Sequence, residues 1–256
     1  MTTDDVLLLA AACAAGAVNS IAGGGSLITF PTLVWLGREP IVANATNTVS
    51  LWPGSLAAVW ALRHALTGLR GWVAWGSAVS ALGGLLGAIL LLWTPSKVFA
   101  ALVPWLVAFA TVLFALSGPI TARLRRATPT GDGDVPLDPR HAGGLLFQLG
   151  VSIYGGYFGA GMGIMMLAGL ALLGFGSIHA MLVLRNVWAV WINGVAALWF
   201  VAKGAVAWRD AAVLTVGQVT GSWLGAHAAR RLPPAAVRAV VIAVGVGMFV
   251  GLLLRG

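Results

Sequence analysis

The amino-acid sequence predicts an all-α polytopic membrane protein made of two internal repeats, each of four or five transmembrane helices and each opening on a helix broken by glycine. Three observations predict it. Hydrophobic residues fill 59% of the 256 positions and charged residues only 9%, whereas a water-soluble domain carries about 25% charged residues. The mean hydropathy is +0.94. The few charges leave long uncharged stretches, and those stretches recur in the same order in the two halves of the chain. So little charge cannot keep a surface of this size wetted, so the solvent is lipid.

The stretches free of Asp, Glu, Lys and Arg cover 6–37, 41–62, 71–96 and 98–122, then 141–184, 186–202, 211–229 and 239–254. They are continuous rather than alternating, which predicts helices and not barrel strands. The opening MTTDD lacks the basic region of a secretory signal, so the first apolar segment is expected to stay in the protein. That segment is too long for one straight span of about 20 residues and too short for two. Gly23, Gly24 and Gly25 interrupt it near its middle, and GAGMG, Gly159 to Gly163, interrupts 142–173 in the same way. Close helix packing through small residues would use some of these glycines. Paired interruptions at matching places in two repeats point instead to a binding site near the bilayer midplane.

Between the halves, residues 121–141 (TARLRRATPTGDGDVPLDPRH) read as a flexible linker. Its four Arg place it in the cytoplasm by the positive-inside rule. It separates a first transmembrane repeat, 1–120, from a second, 142–256. Asn47 matches Asn186, Ala57-Ala58 match Ala196-Ala197, Trp60 matches Trp199, Gly84 matches Gly221 and Pro95 matches Pro233, all at nearly one offset. Four spans per repeat would make the repeats parallel, and five would make them inverted. Basic residues tie between the two arrangements. An N-terminus with Asp4 and Asp5 but no Lys or Arg sits better outside, and that favours inverted repeats.

A net charge of +8 on a soluble protein would suggest nucleic acid. Here the basic residues are scattered through short loops, so no nucleic-acid partner is expected. A single Cys, Cys13, excludes a disulfide framework and a cysteine-based metal site. No cofactor, metal or catalytic constellation is expected, and so no enzyme. Trp72, Trp93 and Trp208 suit an interfacial belt.

All seven acidic residues fall in termini, loops or the linker, so the membrane interior holds no carboxylate to bind a proton or a cation. Arg185 is the opposite case. It lies inside HAMLVLRNVWAVWING, where its guanidinium offers a rigid fork of donors to an anion, or snorkels to an interface if its helix begins near Ile178. Asn19, Ser20 and Ser26 flank the first break, while Asn44, Thr46 and Asn47 lie on the next helix, Asn44 and Asn47 on one face. Tyr157, Asn186, Gly161 and Gly163 are their counterparts in the second half. Glycine breaks expose N–H groups at half-helix N-termini, where the dipole favours an anion. Together these residues form a candidate site for a small oxyanion.

AGAVNSIAGGGSLITFPTLVWLG followed by ANATNTVSLWPGSLAAVW, and in the second half GGYFGAGMGIMMLAGLALLG followed by LRNVWAVWINGVAALWF, resemble the two repeats of the sulfite exporter TauE/SafE family. The resemblance spans nearly the whole chain except the linker. It implies a secondary transporter of the bacterial inner membrane for export or uptake of sulfur-containing anions such as sulfite, sulfoacetate or another organosulfonate; a core without carboxylates, which leaves no site for a coupling ion, favours export. The expected partners are the small anion, the bilayer and a second copy of the chain in a homodimer. A passive anion channel and a carrier of a non-sulfur organic anion are the alternatives. The second half has Tyr157-Phe158 where the first has Asn-Ser before its glycines, so the half-sites are not equivalent.

Overall fold

A computed structural model describes residues 2–21, 24–62, 68–127, 138–175, 177–228 and 234–255. They form ten helices with no strand among the described residues: α1 Thr3–Ile21, α2 Ser26–Trp35, α3 Pro40–Leu62, α4 Arg70–Trp93, α5 Ser96–Ala127, α6 Ala142–Tyr157, α7 Met162–Leu172, α8 Ile178–Ala202, α9 Trp208–Ala228 and α10 Pro234–Arg255. Arg70–Trp93, Ser96–Gly118 and Ala180–Ala202 are each long and apolar enough to cross a bilayer. α2 and α7 have only 10 and 11 residues. Both are largely buried against other helices, with Trp35 and Leu172 exposed at their ends.

α5 runs on through TARLRRA to Ala127. Seven residues read as linker are thus helical, because Ala, Arg and Leu are strong helix formers and the first breaker is Pro129. Residues 128–137 lie outside the described residues, and the rest of the linker leads into α6, whose first turn is capped by His141 Nδ1 accepting from Gly144 N–H at 3.2 Å.

Contacts between helix ends establish the direction of the chain. Arg209 pairs with Asp5 at 2.6 Å and Arg38 with Asp210 at 2.6 Å. The start of α1, the end of α2 and the start of α9 therefore share one end of the bundle. At the other end Pro139 packs on Gly71, the Arg140 guanidinium lies 5.2 Å from the Trp75 ring centre, and Phe175 meets Trp72 edge-on at 4.8 Å. The starts of α4 and α6 and the end of α7 gather there. α2 thus returns toward the end where α1 began, and α7 toward the end where α6 began. Trp72 is only 5% exposed, a correction to its expected place in an interfacial belt. Its edge-on packing against Phe175 and the Trp188 indole N–H donated to its carbonyl at 3.3 Å hold it inside. Trp93 and Trp208 are exposed.

The main crossings join the halves. α1 lies on α9, α6 on α4, and α3 on α8 and α9. Each of the first two is made where a helix carries no side chain. A β-carbon at Gly221 would overlap the Cys13 carbonyl, one at Gly16 the Gln218 carbonyl, and one at Gly156 the Gly84 carbonyl. With backbones this close, van der Waals contact replaces the hydrophobic drive that lipid removes.

Candidate functional site

The first break lies between α1 and α2. Gly24 has φ +91°, and a β-carbon there would lie 2.6 Å from Phe114 Cε2, so conformation and space both call for glycine. The Gly25 N–H donates to Asn19 Oδ1 at 2.8 Å, and a β-carbon on Gly25 would lie 2.6 Å from the Ala15 carbonyl. α2 therefore starts folded back against the last turns of α1. The sequence predicts free N–H groups at Gly23 to Gly25, but that of Gly25 is taken by Asn19. A short polar side chain six residues upstream can reach over the break and satisfy a donor that the helix start leaves open. Ser26, the first residue of α2, is half-buried, Ser20 belongs to the last turn of α1, and Gly23 lies outside the described residues.

α3 reaches both breaks from one face. The Thr29 hydroxyl of α2 donates to Asn47 Oδ1 at 2.6 Å, with both residues buried. One turn earlier, Asn44 Nδ2 donates to the Tyr157 carbonyl at 3.0 Å. Thr46 points elsewhere. Its hydroxyl accepts the Ala207 N–H at 3.0 Å, just before α9.

The second break runs from Phe158 to Gly161. Gly159 and Gly161 have φ of +82° and +83°, and Gly161 is the N-cap of α7. The Tyr154 hydroxyl donates to the Ala160 carbonyl at 2.6 Å and fixes the turn. Phe158 meets Phe30 of α2 edge-on, 5.2 Å between centroids. Both breaks also rest on one turn of α5, Gly24 against Phe114 and Gly161 against Leu113. Tyr157 turns the other way, its hydroxyl 3.3 Å from Thr94 Oγ1 and its ring edge-on to Phe99.

α8 starts at Ile178, where Ser177 Oγ accepts the Ala180 N–H at 3.3 Å, so Arg185 lies two turns into the helix. Its guanidinium covers Gly163, in the first turn of α7. A β-carbon at 163 would lie 2.6 Å from Arg185 Nε and 3.1 Å from Nη2. Nε is buried and has no hydrogen-bond partner. The ion pairs among the described residues are Arg38–Asp210 and Arg209–Asp5, and neither involves Arg185. A cation and the positive end of a helix thus stand together with no carboxylate paired to them among the described residues, which is an electrostatic arrangement for an anion. Asn186 follows on α8, half-buried. No hydrogen bond among the described residues joins Arg185 to Asn19, Asn44 or Asn47. The first break closes on its own side chains, while the second keeps donor capacity.

Three features escaped the sequence reading. Gln148 donates to Ser80 at 2.9 Å and Gln218 to Ser50 at 3.1 Å, each buried and each crossing between the halves. They are the only two glutamines of the chain, and a Gln in an apolar run was the available signal. A cavity of about 550 Å³, open to the surface, lies between the ends of α4 and α8, lined by Leu92, Trp93, Trp199, Lys203 and Ala205. The third feature is the Arg38–Asp210 pair, in which two hydrogen bonds to the carboxylate raise the Arg38 guanidinium above its ordinary value.

The family model of the sulfite exporter TauE/SafE matches residues 8–252. A probable membrane transporter protein of Haemophilus influenzae is 31% identical over 241 residues, covering 88% of this chain and 85% of that protein. The probable membrane transporter protein ORF9 of a Sinorhizobium species is 28% identical, covering 96% and 91%. The probable membrane transporter protein YfcA of Escherichia coli is 29% identical, covering 96% and 88%. No solved structure matches.

Proposed function

The chain belongs to the sulfite exporter TauE/SafE family of membrane transporters, and from that premise we propose that it exports a small sulfur-containing anion such as sulfite, sulfoacetate or another organosulfonate. The observation that carries this reading is the Arg185 guanidinium over Gly163, its Nε buried and unpartnered at the N-terminus of α7. A guanidinium fork suits two oxygens of a sulfite or sulfonate. Gly163 makes room for the guanidinium, Gly161 turns the chain into α7 with φ +83°, and Asn186 follows the charge on α8. Asn44 and Asn47 hold the facing half in register from α3, and Tyr157 closes the other side.

The two halves act as inverted repeats, α1–α5 and α6–α10, joined by the linker. Three features support this: α1 on α9 matches α6 on α4, α3 meets α8, and the two short helices return to opposite ends. The glycine breaks then face each other near the middle of an inner membrane. At the Trp72 end lie Arg70, Arg140 and the linker's Arg123, Arg125 and Arg126; at the other lie Lys97, Lys203, Arg38 and Arg209, the last two paired with Asp210 and Asp5. The positive-inside rule puts the Trp72 end, with the linker, in the cytoplasm. Moving one negative charge out of a cell that is negative inside gains about 2.3 kcal/mol per 100 mV, so export needs no coupling ion and no carboxylate in the core.

The test is sulfite and sulfoacetate flux in proteoliposomes under an imposed potential, with and without proton or sodium gradients. Saturable flux that follows the potential and ignores both gradients is expected. Flux that fails to saturate would make the protein a channel, and flux of carboxylates but not of sulfur anions would change the substrate class.

A further inference from the structure

The cavity between the ends of α4 and α8 lies at the Asp210 end of the bundle, away from Arg185. Three of its features bear on an anion. The Lys203 ammonium stands 4.8 Å from the centre of the Trp199 ring, and no carboxylate pairs with it among the described residues. The Trp199 indole Nε1 is buried without a hydrogen-bond partner. Trp93, 80% exposed, forms the facing wall. A cation over an aromatic face keeps most of its charge for a second partner, and an indole N–H is a donor with no acceptor function. A chain of hydrogen bonds runs from beside the cavity to the breaks. Thr94 follows Trp93 and its hydroxyl lies 3.3 Å from that of Tyr157, whose carbonyl accepts from Asn44 at the breaks.

We infer that this cavity is a second anion site, in series with the central one, where Lys203 and Trp199 hold the oxyanion after it passes Tyr157. The inference rests on the export reading, in which this end faces outward. It assigns the cavity an exit role and makes Tyr157 the partition between the sites. The ligand chemistry is a small oxyanion, and a phospholipid headgroup shares it.

The experiment is binding of radiolabelled sulfite to the purified protein, paired with flux in vesicles of phosphatidylcholine alone and with added phosphatidylglycerol. The wild type, Lys203→Gln, Trp199→Phe and Arg185→Gln are compared. Two binding components are expected: a tighter one lost in Arg185→Gln and a weaker one lost in Lys203→Gln. Lys203→Gln should raise the half-saturating concentration on the Asp210 side about fivefold, as for loss of one charge-assisted contact, with the linker side unchanged in both lipids. Unchanged binding and flux in Lys203→Gln and Trp199→Phe, with binding abolished in Arg185→Gln, would overturn the second site and keep the central one. A defect seen only with phosphatidylglycerol would assign Lys203 to a lipid headgroup and also overturn it. No sulfite binding in the wild type would overturn the sulfite reading itself.

Discussion

Arg185 occupies the space that a side chain at Gly163 would fill: a β-carbon there would lie 2.6 Å from Arg185 Nε. The glycine and the arginine, from different helices, thus act as one unit. One supplies room at the start of α7, and the other fills it with a charge that no carboxylate pairs with among the described residues.

Arg185→Ala is expected to lower sulfite flux at least about 30-fold, the loss that follows removal of one side of a buried charge contact, with a normal gel-filtration profile. Arg185→Lys should recover only part of it, because an ammonium lacks the planar fork. Proteoliposome efflux of the variants measures both.

Gly163→Ala should reduce flux about 10- to 100-fold by displacing the guanidinium, since an error of about 1 Å in a binding group costs this much. Thermal unfolding should change little, because Arg185 is a flexible side chain that can give way. A variant with wild-type flux would separate the glycine from the site.

Arg38→Ala should destabilise the protein by about 1–3 kcal/mol, less than the loss of about 3–5 kcal/mol for a fully buried pair, since Asp210 is 5% exposed but Arg38 34%. Replacing both, Arg38→Gln with Asp210→Asn, should recover much of the loss because no unpaired charge remains. Detergent thermal melts of the single and double variants test this, and a double variant no better than Arg38→Ala would contradict it.

Gly221→Ala and Gly156→Ala should each cost about 1–3 kcal/mol or more, as overpacking against rigid backbone does. Gly150→Ala in α6, where a β-carbon meets nothing within 4 Å, should stabilise by up to about 1 kcal/mol through helix propensity. The same melts compare all three.

Gln148→Leu should lower stability by about 1 kcal/mol through the lost bond to Ser80, within the modest range of interhelical hydrogen bonds in membranes. Sulfite affinity should stay unchanged, which flux titration would show.

Much of this was legible in the sequence because lipid simplifies the reading: stretches without charge become helices, and the glycines at 24–25 and 159–161 mark where they stop. The face formed by Asn44 and Asn47 was legible too, since helical spacing alone fixes it. Thr46 was not, because its partner, the Ala207 N–H, lies on a loop that no local pattern connects to it. The Asn19 side chain on Gly25 N–H escaped for a related reason. Sequence shows that a break has open donors but not which neighbour folds back to take them. The Lys203 cavity depends on how the ends of α4 and α8 splay, which follows from packing between the halves and leaves no mark on either helix.

The crossing of α1 on α9 sets a schedule for biosynthesis. α1 leaves the ribosome well before α9, yet the backbone that packs at its Gly16 and the arginine that neutralises Asp5 belong to α9. Throughout translation α1 waits in lipid with an unpaired carboxylate at its entry and an unfilled stripe along its side. A nascent chain arrested before residue 208 should therefore be a ready target for membrane proteases, and supplying the missing half in trans should protect it.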